Sequence, residues 1–288
     1  MNILPQLILN GIIAGAIYTL VTLGFNLIYG ATKFFNLAHG VMAAIGGYAM
    51  FYFAKTLGLN VYIAVILGVV LVGLVGFGLD KLIYRPLRKR KASNMVLFVA
   101  SLGAMTTLQA VIAILFSSQF KTLSQNFGTQ KFFIIFGGTV TQTQLVILLS
   151  AVLVMAGLVV LLYKTQFGRA VRAISDDEEA AQIIGIDTNK IIGYVFFIGS
   201  AIAGLTGILV GFDVGIEPEM GSNLLLKGVI ASVVGGVGNI YGGVLGAFLL
   251  GFAENFGIWK ISGEWKDAIA FALLITFLIF RPRGIMNK

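Results

Sequence analysis

The side chains that could act on a substrate are few, and most lie inside or beside long apolar runs: Asn26, Asn36, His39, Asp80, Gln109, Asp213 and Glu254. With one His and no Cys, the sets of nucleophile, base and orienting residue used in covalent catalysis have few ways to form. Thiolate and His-rich metal centres are excluded for the same reason, and no cofactor is implied. No G-x-x-x-x-G-K-[ST] phosphate loop occurs, so this chain does not bind ATP by that device. The chemistry left open is non-covalent: holding, passing or gating a solute, with energy from a partner or an ion gradient.

Ionisable and amide groups are costly in hydrocarbon, so each of these residues should face a partner, a cavity or the interface. Asp80 is followed by Lys81, and a pair or snorkelling would account for both. Asp213, Glu217 and Glu219 make an acidic outer loop, either simply solvated or able to meet a soluble substrate-delivery partner. Asn36 and His39 are three apart and are expected to share a helix face. That imidazole either hydrogen-bonds a neighbouring helix or lines a path near the inner gate. Glu254, beside Asn255, has Lys227 and Lys260 as candidate partners, or else lies at an outer mouth.

The elements that must position these groups are apolar. Of 288 residues, 58% are hydrophobic and 11% charged, and mean hydropathy is +0.96, outside the range of soluble domains. The apolar runs are roughly 20 residues long, the length a helix needs to cross a bilayer core. They fall at 7–29, 37–54, 61–84, 95–116, 145–163, 191–212, 224–236, 241–256 and 267–280. The first follows an N-terminus without Lys or Arg and without a small-residue cleavage site, and is read as a retained span. The expected fold is all-α: one polytopic transmembrane bundle of eight or nine spans over residues 1–288.

Orientation follows from basic loops. The segment 85–91 holds five basic residues and no acidic one, and belongs in the cytoplasm. Lys164, Arg169, Arg172 and Lys190 flank a second polar loop, and Arg281, Arg283 and Lys288 close the chain. Nine spans put all three basic segments on one side, with the N-terminus outside. Eight spans, with 224–256 as one crossing or a re-entrant hairpin, would turn Arg281 and Arg283 outward. The net charge of +8 is thus accounted for by cytoplasmic loops, and nucleic acid is not expected as a partner. The stretch 117–143, carrying Lys121 and Lys131, becomes an outside loop long enough for a short helix or hairpin.

Glycine makes up 37 residues. Within apolar runs it permits close helix approach. Gly235, Gly236, Gly238, Gly242 and Gly243 could instead break a helix around Asn239, where unwound backbone could line a path.

The polar loop at about 164–190 reads as two short amphipathic helices. Ser175 is placed as the cap of the second, Asp176, Asp177 and Glu178 in its first turn, and Gly185 at its end. Ala180, Ala181, Ile183 and Ile184 would form a small apolar face. Such a helix is either a solvated connector or a piece shaped for a groove on another protein.

Glu179-Ala180-Ala181, three residues, then Gly185 fits the E-A-A-x-x-x-G signature of the cytoplasmic loop in permease subunits of ATP-binding-cassette importers. The run 167–173, holding Gly168, Arg169 and Arg172, resembles the version in the branched-chain amino acid branch. No I-x-L-P follows at the spacing of many other importer families, a second half that the branched-chain branch commonly lacks. Residues 15–24, 27–30 and 35–40, the Val234–Gly243 stretch and Arg281-Pro282-Arg283-Gly284 resemble LivH-type subunits in order along the chain.

The resemblance implies a non-catalytic permease for leucine, isoleucine and valine in the bacterial inner membrane. Its 164–190 loop would dock on cytoplasmic ATPase subunits through Gly168, Arg169, Arg172, Asp176, Glu179, Ala180, Ala181 and Gly185. A second, LivM-like permease subunit, a periplasmic or lipid-anchored binding protein and membrane lipid complete the expected partners. Translocation-path candidates are Asn26, Asn36, His39, Gly235, Gly236, Gly238, Asn239 and Glu254. Alternative readings are an importer for urea, amides or other neutral amino acids, and an ATPase-independent secondary transporter.

Overall fold

A computed structural model describes residues 3–123, 131–259 and 262–286. Six helices among them are long and apolar enough to cross a membrane: Ile3–Thr32 (α1), Val61–Lys89, Asn94–Phe116, Gln142–Lys164, Thr188–Asp213 and Ile240–Gly257. The second of these is α3 (Val61–Leu79), a π-helical turn (Asp80–Tyr84) and α4 (Arg85–Lys89) in one rod. The others are α5 (Asn94–Phe116), α6 (Gln142–Lys164), α9 (Thr188–Asp213) and α11 (Ile240–Gly257). Shorter apolar helices are α2 (Ala38–Met50), continued by a π-helical segment (Phe51–Thr56), α10 (Met220–Gly235) and α12 (Lys266–Phe280). The polar loop forms α7 (Gln166–Asp176) and α8 (Glu178–Ile183). The chain is an all-α polytopic membrane protein.

Helix starts are chemically marked. Asn60, Ser93, Thr141, Thr165, Asp177, Asp187 and Asn239 each accept a backbone N–H of the following first turn, satisfying donors that lipid could not. In the outer loop, Phe132–Ile135 and Gly138–Thr141 form a two-stranded hairpin, β1 and β2. Its turn residues Phe136 and Gly137 both have positive φ, which a tight two-residue hairpin turn requires. Residues 124–130 of that loop lie outside the described residues.

α1 and α9 sit at the centre and α5, α6 and α12 at the rim. Small residues set the spacing. Gly46 on α2 faces Gly204 on α9, Gly40 on α2 faces Gly221 on α10, and Gly11 and Gly15 on α1 take Phe252 and Phe248 of α11. A methyl group at Gly207 would run into the Ala43 backbone. In lipid no hydrophobic drive joins helices, so this close approach supplies the packing energy.

One end of the bundle gathers the basic segments. There Lys33 touches Ser175 (3.3 Å) and Asn94 (3.4 Å), Asn36 meets Tyr84, and Asn26 meets the α10–α11 turn. The tail joins them: Ile285 and Met286 N–H groups donate to the Val234 and Gly235 carbonyls, both at 3.0 Å, satisfying acceptors left over at the end of α10. At the opposite end Gln6 holds the hairpin through Thr139, and Lys121 pairs with Ile216 through both backbones.

Candidate functional site

The polar loop is built from its caps. Thr165 accepts from Gly168 N–H at 3.0 Å to start α7, and Gly168 is buried where a Cβ would strike the Leu161 and Leu162 carbonyls. Val171 and Ile174 are buried in the bundle's core, while Arg172 stacks over Tyr163 at 5.0 Å. The second helix is capped by Asp177, not by Ser175: its carboxylate accepts from Ala180 N–H at 3.0 Å, and its extended backbone breaks α7 from α8. Ser175 stays inside α7 and meets Lys33. Gly185 ends α8 with φ +89°, a conformation that favours glycine.

The apolar face of that helix divides. Ala181 is buried against the bundle, whereas Ile183 and Ile184 are 85% and 74% exposed. Arg169, Asp176, Glu179 and Ala180 are exposed beside them. The loop therefore presents a rigidly seated, uncovered apolar tip at the basic end.

Behind it lies a cleft of about 310 Å3 between α1, α7 and the α10–α11 turn, lined by Asn26, Lys33, Arg172, Ser175, Gly238 and Asn239 among others. The predicted helix break is present here. α10 stops at Gly235, Gly236 and Gly238 take positive φ (117° and 83°), and Asn239 caps α11. Asn26 locks this turn: its amide donates to the Asn239 carbonyl at 2.9 Å, and its oxygen accepts from Gly238 N–H (3.0 Å) and from the Ser232 hydroxyl. Gly235 and Gly242 pack backbone to backbone.

Asn36 and His39 do not share a face. Asn36 precedes α2 in non-helical backbone, and its oxygen accepts from Ala38 N–H (3.1 Å) and from the Tyr84 hydroxyl (3.0 Å). A capping amide bends the chain before the helix begins, so the three-residue spacing does not apply. His39 is buried beside Gly24 on α1, edge-on to Phe25, filling space the glycine leaves open. Asp80 pairs with Arg88 at 2.8 Å, one helical face further on, instead of with its neighbour Lys81. Adjacent residues point apart on a helix, and the π-turn from Asp80 carries Arg88 round to the buried carboxylate.

Glu254 has its partner in Lys227, at 2.6 Å, and Lys260 lies outside the described residues, as does Lys288. Lys227 also reaches Asp267 at 2.7 Å, and the Tyr18 hydroxyl donates to the second Glu254 oxygen at 2.6 Å. Four helices, α1, α10, α11 and α12, thus meet in one polar cluster. Sequence reasoning passed over Tyr18, Arg88, Ser232 and Asp267. Tyr18 and Ser232 had no signal, while Asp267 was legible as an acid opening an apolar run. At the hairpin end, Glu217 and Glu219 are exposed and line a cleft of about 470 Å3 with Thr106, Gln109 and Ser118. Among the described residues no group of three or more His, Cys, Asp or Glu could hold a metal ion.

An apolar helical bundle tied together by buried polar contacts is the architecture of a polytopic membrane protein. The family model described as "branched-chain amino acid transport system / permease component" matches residues 7–278, and the chain belongs to that family. The high-affinity branched-chain amino acid transport system permease protein BraD of Pseudomonas aeruginosa is 31% identical, covering 98% of this chain and 95% of that protein. LivH of Escherichia coli K12, whose name describes the same kind of permease, is also 31% identical with the same coverage. A probable branched-chain amino acid transport permease protein LivH of Methanocaldococcus jannaschii is 30% identical, covering 97% and 92%.

Proposed function

We propose that this chain is the permease subunit of an inner-membrane importer that moves leucine, isoleucine and valine, driven by ATP hydrolysis on separate cytoplasmic subunits. It carries out no catalysis itself. A second permease subunit supplies the other half of the path, and an external binding protein delivers substrate at the end bearing Glu217 and Glu219.

The observation that carries the reading is the α7–α8 loop. Its uncovered tip of Ile183 and Ile184 has the chemistry of a plug for an apolar groove on a partner. Its root is fixed in the bundle by Val171, Ile174 and Ala181. Motion imposed on the tip therefore passes to α1 through Lys33–Ser175 and to the cleft beside the α10–α11 turn. Glycines at that turn give it backbone freedom to follow.

Nine spans fit this assignment. α2 with its π-helical continuation, α10 and α12 join the six long helices, and α10 runs from the Ile216 end to the tail-bound end. All basic segments then lie on the cytoplasmic side, in accord with retention of Lys and Arg there.

The test is uptake in vesicles holding the whole complex. Ile183→Asp, Glu179→Lys and Gly185→Trp should each lower ATP-dependent leucine uptake roughly thirty-fold, as expected for losing a docking anchor of about 2 kcal/mol. Membrane levels should stay unchanged, and ATPase subunits should no longer copurify. Normal uptake in these variants would overturn the coupling assignment.

A further inference from the structure

α3 and α5 flank α2 on either side, and between them at the hairpin end runs a groove of about 300 Å3. Tyr48, Tyr52, Val75, Leu108, Ile112 and Phe116 line it, and every other lining residue is apolar or aromatic too. The lining runs from Ile45 to Phe53 along α2 and its continuation and from Leu108 to Phe116 along α5, eight residues on each, or about 12 Å at 1.5 Å per residue. That is most of the depth of one leaflet's hydrocarbon, about 15 Å.

Two lysines stand beside the groove, at Phe51. Lys55 and Lys121 come from different elements, yet each ammonium lies 5.3 Å from the centroid of the Phe51 ring. The two charges are thus no further apart than about twice that distance. Among the described residues neither forms a salt bridge. Phe51 packs edge-on against Phe116, which lines the groove, at 6.4 Å. Lys121 is held in place by its two backbone bonds to Ile216, 2.9 and 2.8 Å. At the same point α2 passes into its π-helical turn, where Leu57 N–H reaches the Tyr52 carbonyl five residues back. Insertions of that kind cluster beside binding sites.

We propose that this groove binds one anionic phospholipid, an acyl chain lying along α2 and the phosphate held between Lys55 and Lys121. Two ammonium groups that hold no salt bridge repel each other at the edge of hydrocarbon, and with Glu217 beside Ile216 as the neighbouring carboxylate, a shared anion lowers that cost further. A zwitterionic headgroup brings its own ammonium into the same field and gains less. An apolar helix of another subunit would fill the groove but leave both lysines without a counter-charge. The inference requires only that the chain spans a membrane, so it stands apart from the choice of transported solute.

The experiment is native mass spectrometry of the full chain, with whatever subunits copurify, after exchange into vesicles of phosphatidylglycerol or phosphatidylethanolamine. One phosphatidylglycerol should stay bound in preference to phosphatidylethanolamine. Lys55→Gln and Lys121→Gln, both changes at side chains that hold no ion pair, should each cut that preference about five-fold. A benzophenone amino acid at position 115, on the groove wall, should crosslink to lipid in native membranes. Equal retention of the two lipids, an unchanged preference in the double variant, or a crosslink to a polypeptide would overturn the proposal.

Discussion

The two ends of the α10–α11 hairpin are held to α1 by opposite kinds of chemistry. At the basic end Asn26 uses one neutral amide to engage Ser232 on α10 and Gly238 and Asn239 on the turn that follows, where glycine frees the backbone. At the other end Tyr18, Lys227, Glu254 and Asp267 form a charged cluster in which Glu254 is buried and Asp267 is 75% exposed on its side chain. Neutral hydrogen bonds fix shape at small net cost, whereas a charge in lipid is tolerable only while its partner stays. The first arrangement suits a joint beside the α7–α8 loop. The second suits an anchor whose four helices separate only together.

The contrast can be broken most strongly at Lys227. Lys227→Met leaves the Glu254 carboxylate buried without a cation, and stability should fall by about 3–5 kcal/mol, read as thermal unfolding in nanodiscs. Adding Glu254→Gln to that variant should recover most of the loss. If the double variant is as unstable as the single one, the cluster acts by packing and not by charge. Asn26→Leu should cost less, about 2–3 kcal/mol, because it orphans neutral groups on the Gly238 turn. The informative readout is uptake, which should fall further than stability because the turn borders the cleft behind α7. Tyr18→Phe removes one hydrogen bond to a carboxylate that keeps its lysine. A loss of about 1.5 kcal/mol or less in the same unfolding assay is expected, and a larger one would place the tyrosine at the centre of the cluster.

How far the sequence could be read depended on the range of the interaction. The apolar runs, the basic side of the bundle, the two helices of the polar loop and the stop at Gly185 are local, set by composition, charge and backbone conformation within a few residues. The cap at Asp177 and the non-helical position of Asn36 were misjudged because several acceptors lie within one turn of each other, and their competition is settled by where the chain enters the bundle. For Asp80 residue order suggests a pair with Lys81 or snorkelling, because the π-turn that brings Arg88 round is invisible in the pattern of residue types.

What the sequence determined alone was the solvent the protein lives in, the clustering of its basic segments and a mid-chain segment with two helices. Hydrophobicity and charge are additive along a chain, so they survive without coordinates. Only the tertiary structure decided which buried polar groups meet. Asn26 finds its turn more than 200 residues away and Lys227 finds both carboxylates. A hydrogen bond or ion pair needs placement to within a fraction of an ångström, and that placement comes from glycine contacts between helices that no local pattern encodes.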